Sequence, residues 1–70
     1  MMPLTLANPG EENIIRKIGG NESTRKFLEN LGFVAGGSVT IISEISGNVI
    51  VNIKNSRVAV SKEMAQKIIV

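Results

Sequence analysis

Apolar and polar residues alternate along the second half of the chain. The alternation predicts three consecutive strands, separated by the turn-forming segments Ser46-Gly47-Asn48 and Lys54-Asn55-Ser56. One face of this predicted meander consists of Val39, Ile41, Ser43, Ile45, Val49, Val51, Ile53, Val58 and Val60. Because side chains in a strand alternate between two faces, we expect this row to face the core.

A helical period replaces the alternation between residues 21 and 32. Asn21 is a suitable N-cap, and Glu22 in the first turn complements the helix dipole. The positions at i, i+3, i+4 and i+7 that predict one inner face are Thr24, Phe27, Leu28 and Leu31. Glu22 and Lys26 are spaced for an i,i+4 ion pair on the outside of this helix.

The chain is organised around the corner that follows this helix, residues 28–39. Leu31 is the expected last helical residue, and Gly32 can adopt the left-handed conformation of a C-terminal cap. Phe33 then returns to the core, and Gly36-Gly37 form a second turn into the next strand. The corner predicts a compact connection between helix and strand and indicates no chemistry by itself.

Less regular segments precede and follow these elements. Residues 5–7 are predicted to form one helical turn with Leu4 and Leu6 packed inward, and Pro9-Gly10 to form a tight turn. A first strand is predicted over residues 11–18, with a bulge near Arg16-Lys17.

At the other end of the chain, Ser61 is expected to cap a short helix whose inner face is Met64, Ala65 and Ile68. The last residues, 68–70, are expected to pair with the first strand. Five short strands around one core predict a small barrel.

Composition narrows the class of protein. Seventy residues make a single domain, residues 1–70, and 17 of its 30 apolar residues are Ile or Val, which favours sheet. The chain contains no Cys and no His, so disulfides and Cys/His zinc sites are excluded. Neither a signal peptide nor a membrane-spanning segment is predicted, and we expect a cytoplasmic protein.

The side chains offer little for catalysis, because His, Cys and Tyr are all absent. The six acidic residues are all Glu and are scattered, so no metal site and no cofactor is predicted. Nucleic-acid binding stays open as an alternative, since the net charge is +2. The only aromatic residues, Phe27 and Phe33, are expected to pack in the core, which leaves only nonspecific attraction to phosphates.

Protein binding is the function class that remains. A small barrel offers a groove between its helix, its turns and its sheet. The predicted border of this groove consists of Leu31, Phe33 and Val34, with Arg25 and Lys26 nearby. The alternative for each apolar residue of this border is that it packs in the core.

The order of these motifs resembles the FeoA family of small ferrous iron transport proteins. The resemblance rests on Pro3-Leu4-Thr5, Pro9-Gly10-Glu11 and Leu28-x-x-Leu31-Gly32-Phe33. It also rests on the C-terminal pattern Val58-Ala59-Val60-Ser61-x-x-x-Ala65-x-x-Ile68-x-Val70. It implies a mainly β fold with two short helices, an SH3-like barrel of about five strands, in a cytosolic bacterial protein.

The resemblance also implies a partner: FeoB, the membrane ferrous iron permease with a cytosolic G-protein domain, for which this chain would be an accessory protein. Related domains in iron-dependent repressors imply, as an alternative, a metalloregulatory domain that binds transition-metal ions.

Overall fold

Six strands and two helices make up the computed structural model, which describes residues 1–70. They follow a 3-10 turn at Leu4–Leu6 and are, in chain order, β1 (Glu12–Ile14), β2 (Lys17–Ile18), α1 (Glu22–Leu31), β3 (Ser38–Ile45), β4 (Asn48–Ile53), β5 (Ser56–Ser61), α2 (Lys62–Ala65) and β6 (Ile68–Ile69). Strands β1, β3, β4 and β5 form one antiparallel sheet in the order β1-β3-β4-β5, while β2 pairs with β6. The fold is mainly β with two short helices, as predicted.

The meander β3-β4-β5 is the regular part of the molecule. Its two-residue turns, Ser46-Gly47 and Lys54-Asn55, have positive φ at both residues, which matches the twist of the flanking strands. The predicted inner row is confirmed for the residues that the structure buries: Val39, Ile41, Val49, Val51, Ile53 and Val60. Val58 is half-buried beside them.

A β-bulge in β3 corrects one part of that row. Ile41 pairs with Val51, but the next paired residue on β3 is Ser43, opposite Ile50. The extra residue moves every later side chain to the other face, because the side-chain period of a strand is two. Ile45, predicted to point inward, is therefore 58% exposed.

The predicted first strand is divided between the two sheets. The amide of Ile15 donates to the carbonyl of Gly37 at 2.8 Å, and the amide of Arg16 donates to that of Ile69 at 2.7 Å. Consecutive amides of an extended chain point to opposite sides, so this step passes the chain from one sheet to the other. The division raises the strand count from about five to six. The predicted pairing with the C-terminal strand is confirmed, since Ile18 lies opposite Ile68.

Helix α1 begins and ends at the capping residues that the sequence predicts, Asn21 and Gly32. The Asn21 side chain accepts a hydrogen bond from the Thr24 amide at 2.8 Å. At the other end Gly32 has φ +110°, and the amide of Phe33 donates to the carbonyl of Leu28 at 3.0 Å. Leu28 and Phe33 are both completely buried. The corner therefore ties the helix to the barrel core.

Helix α2 has the predicted cap, in which Ser61 Oγ accepts from the Met64 amide at 3.1 Å. Ala65, the last residue of α2, and Ile68, which follows the helix, are both buried in the core.

Two predicted inward side chains point outward instead. Leu6 is 68% exposed and Phe27 is 49% exposed. In the 3-10 turn, Leu6 lies about 120° from Leu4 around the axis, and Leu4 is the residue that is buried. In α1, Phe27 lies about 100° from the buried Leu28, on the flank of the helix.

Neither helix has the length and apolar character needed to cross a lipid bilayer.

Candidate functional site

Two glycine turns define the corner beside α1. Gly32 and Gly36 have φ values of +110° and +91°, which favour glycine. Gly37 has no positive φ, and its amide closes the second turn by donating to the carbonyl of Val34 at 3.0 Å. All three glycines therefore serve turns, as their spacing indicates.

The five predicted contact residues fall into different environments. Arg25 and Lys26 are exposed on α1, and Leu31 and Val34 are half-buried. Phe33 has no exposed surface, because the Gly32 turn directs its side chain into the core. The prediction that Phe33 borders a groove is therefore wrong, since its side chain cannot reach a partner.

Phe27, which was expected to pack in the core, is the exposed aromatic residue of this region. It precedes Leu31 by four residues, so the two side chains are neighbours on the helix surface. The apolar period of the helix is misleading at Phe27, because this position fits the period and is nevertheless exposed. Only the tertiary placement of α1 shows that Leu28 takes the buried position.

Consecutive residues of α1 cover the solvent side of the helix. Arg25, Lys26 and Phe27 span about 200° around the axis, with half-buried Leu31 at the border of this arc. We call these four residues the outer face of α1. It combines two cations with an exposed aromatic ring, and Arg and Phe are enriched in protein interfaces. Glu22 and Glu29 lie in the same arc, between Arg25 and Lys26, so this side of the helix has no net charge.

The cations of the outer face differ in their surroundings. Lys26 Nζ lies 3.3 Å from Glu22 Oε1, and both side chains are largely exposed. Arg25 has no ion-pair partner, as the only other pair joins Lys62 to Glu44. An exposed i,i+4 pair contributes little to stability, so Lys26 as well as Arg25 can pair with a carboxylate of a partner.

A polar groove of about 250 Å³ lies on the other side of the corner. Its lining includes Gly32 and Gly37 but no apolar residue and none of the five predicted contact residues. The remaining lining residues are Glu12, Ser38, Thr40, Asn52, Lys54 and Asn55. Glu12, Thr40 and Asn52 face one another across three strands. No charged side chain is buried there, so the groove holds no preorganised charge.

The carboxylates and hydroxyls of the chain form no catalytic or metal-binding arrangement. No three carboxylates come close enough to hold a metal ion. No serine or threonine hydroxyl donates to a carboxylate, so no nucleophile is paired with a general base.

Comparisons with known proteins place the chain in a family. The family model of the FeoA domain matches residues 2–70. A Methanocaldococcus jannaschii protein described as "Putative Fe(2+) transport protein A" is 34% identical over 70 residues, which cover all of this chain and 85% of that protein.

Solved structures agree on the fold. The crystal structure of an iron uptake regulatory protein, FeoA, superposes with a TM-score of 0.86 at 24% identity and covers 94% of this chain and 89% of that one. A manganese-dependent transcriptional repressor superposes with a TM-score of 0.84 at 17% identity, over 94% of this chain and 38% of the repressor. These likenesses show a small SH3-like fold. Because the family model matches residues 2–70, the chain belongs to the FeoA family.

Proposed function

We propose that this chain is a cytoplasmic accessory protein of ferrous iron uptake that binds the cytosolic part of a FeoB-type permease through the outer face of α1. Membership of the FeoA family carries the proposal, supported by the M. jannaschii relative whose name describes Fe(2+) transport. A binding role rather than an enzymatic one also agrees with the side chains, which pair no nucleophile with a base.

The outer face of α1 supports the proposed contact. Arg25 and Lys26 can form ion pairs with carboxylates of a partner, and the Phe27 ring, half exposed before binding, adds an apolar contact. Exposed aromatic and arginine side chains often contribute most of the binding energy of an interface. The helix is held on its other side by Leu28, so the outer face is presented on a fixed element.

Affinity measurements on surface variants test this contact. We expect the double variant Arg25→Glu, Phe27→Ser to bind the permease cytosolic domain at least about tenfold more weakly than the unchanged chain in calorimetry. Arg16→Glu is a charge-matched control, because Arg16 is exposed and lies outside α1. Equal affinities for all three chains would contradict the proposed contact.

GTP hydrolysis by the permease domain gives a second readout. We expect the rate to change when the unchanged chain is added and to stay at its basal value with the double variant. A rate that no concentration of this chain alters would argue against a modulating role and leave docking to be tested by affinity.

A nucleic-acid-binding function predicts a different result. Nonspecific phosphate attraction falls steeply with salt concentration. Binding to single-stranded DNA that exceeds binding to the permease domain at physiological salt would favour this alternative.

A further inference from the structure

The four-stranded sheet ends at β5, with no strand beyond it. β5 pairs only with β4, and Arg57 and Ala59 on it are exposed. The opposite edge is shorter, since β1 has three residues and the chain crosses to the other sheet directly after it. β5 is therefore the longer open edge of the molecule.

The hairpin register shows which backbone groups of β5 are free. A two-residue turn with positive φ makes Ile53 and Ser56 a hydrogen-bonded pair. Hydrogen-bonded and non-hydrogen-bonded pairs then alternate, so Ser56, Val58 and Val60 direct their amides and carbonyls toward β4. The N–H and C=O groups of Arg57 and Ala59 point away and have no hydrogen-bond partner in the chain.

The side chains along this edge differ between the two faces of the sheet. On the inner face Val60 is buried and Val58 is half-buried, so apolar side chains fit beside them. On the outer face Arg57 has no ion-pair partner. Residues 48–61 contain two cations, Lys54 and Arg57, and no acidic residue. A matching strand has apolar residues toward the core and carboxylates opposite Arg57.

We propose that the free edge of β5 binds an extended acidic segment of a partner protein, which adds to the sheet as a further strand. The backbone groups of Arg57 and Ala59 supply the hydrogen bonds, and Arg57 selects for acidic side chains. A second copy of β5 fits less well, because each hairpin carries a charge of +2 and like charges would be brought together. This surface is separate from the outer face of α1 and does not depend on the identity of the permease.

Amide hydrogen exchange on the full chain tests the proposal. The probe ligand is a peptide of four Val-Glu repeats with blocked termini. In the free protein we expect the Arg57 and Ala59 amides to exchange rapidly, whereas those of Val58 and Val60 are protected. Saturating peptide should slow exchange at Arg57 and Ala59 by at least about tenfold. A peptide of four Val-Lys repeats should give no protection. No protection by the acidic peptide, or equal protection by both, would overturn the proposal.

Two variants separate backbone pairing from charge. Ala59→Pro removes an outward N–H without breaking a bond to β4, as proline is tolerated at such edge positions. It should abolish protection at Arg57, while the matched control Ala59→Ser retains it. Arg57→Glu leaves the backbone N–H and C=O groups of β5 unchanged and should reverse the preference between the acidic and the basic peptide. This variant tests the proposal even if Ala59→Pro fails to fold. An unchanged preference in Arg57→Glu would contradict the proposal.

Self-association gives a distinct signal. Protection at Arg57 and Ala59 that rises with protein concentration, without peptide, would show that a second copy occupies this edge and would overturn the proposal.

Discussion

The two sides of α1 and its corner contrast in what their side chains do. On the inner side, Leu28 and Phe33 have no exposed surface and join the helix to the barrel. On the outer side, Arg25, Lys26 and Phe27 face solvent. The only ion pair on this side is the exposed one between Lys26 and Glu22. We therefore expect substitutions on the inner side to destabilise the fold and substitutions on the outer side to leave it intact. This separation is what a binding surface on a small domain requires.

Replacing Phe33 should have the largest effect. Phe33→Ala leaves a cavity in the core and is expected to reduce the free energy of unfolding by about 3–5 kcal/mol in chemical denaturation. A domain of this size has little stability in reserve, so the variant is expected to be largely unfolded. Phe27→Ala is the matched control and should cost less than about 1 kcal/mol, because about half of the ring is already exposed. Similar losses for the two variants would contradict the contrast.

Gly32→Val should cause the second largest loss of stability. A β-branched residue at φ +110° is strained, and its Cβ would lie 3.1 Å from Ile53 Cδ1. We expect a loss of about 2–3 kcal/mol in thermal or chemical unfolding. Gly36→Ala separates the two causes, because no atom lies within 4 Å of a Cβ at Gly36. Its cost should be smaller and come from backbone strain alone. A Gly32→Val protein as stable as the unchanged chain would show that the corner does not need this conformation.

The N-terminal cap of α1 makes an intermediate contribution. Asn21→Ala removes the acceptor of the Thr24 amide hydrogen bond and should reduce stability by about 1 kcal/mol. Asn21→Ser retains a capping oxygen and should recover most of the loss. Urea unfolding measures both losses, and an Asn21→Ser variant as unstable as Asn21→Ala would contradict the role of the capping oxygen.

Charge reversal on the outer face should affect stability least. Arg25→Glu is expected to change the free energy of unfolding by no more than about 0.5 kcal/mol, since the side chain is exposed and has no ion-pair partner. Binding to the permease domain should nevertheless weaken. A loss of stability comparable with that of Asn21→Ala would show that Arg25 has a structural role.

The local elements could be predicted from the sequence because each depends on neighbours in the chain. Asn21 and Ser61 cap helices through the next few amides, and Gly32 ends α1 through the carbonyls of the preceding turn. The two-residue turns of the meander and its buried row follow from the same short-range patterns.

Features that depend on distant contacts could not be predicted in this way. The bulge after Ile41 exposes Ile45, and no local signal distinguishes it from continued alternation. The division of the first strand was anticipated only as a bulge near Arg16, because the sequence does not show that Ile15 and Arg16 bond to different sheets.

The candidate site was predicted in part. Arg25 and Lys26 lie on the exposed side of α1, as polar helix positions indicate. The roles of the two aromatic residues were not separated, because both lie at positions suited to the core. The placement of α1 over Leu28 decides between them, and that placement depends on the whole barrel.

Chemical-shift mapping of the labelled full chain against the permease cytosolic domain tests the central claim most directly. We expect the amide signals of residues 25–31 to shift progressively during the titration, together with Val34, while those of the β4–β5 turn at Lys54-Asn55 stay in place. An absence of shifts in residues 25–34 at high micromolar concentrations of the permease domain would contradict the claim that the outer face of α1 is the binding surface.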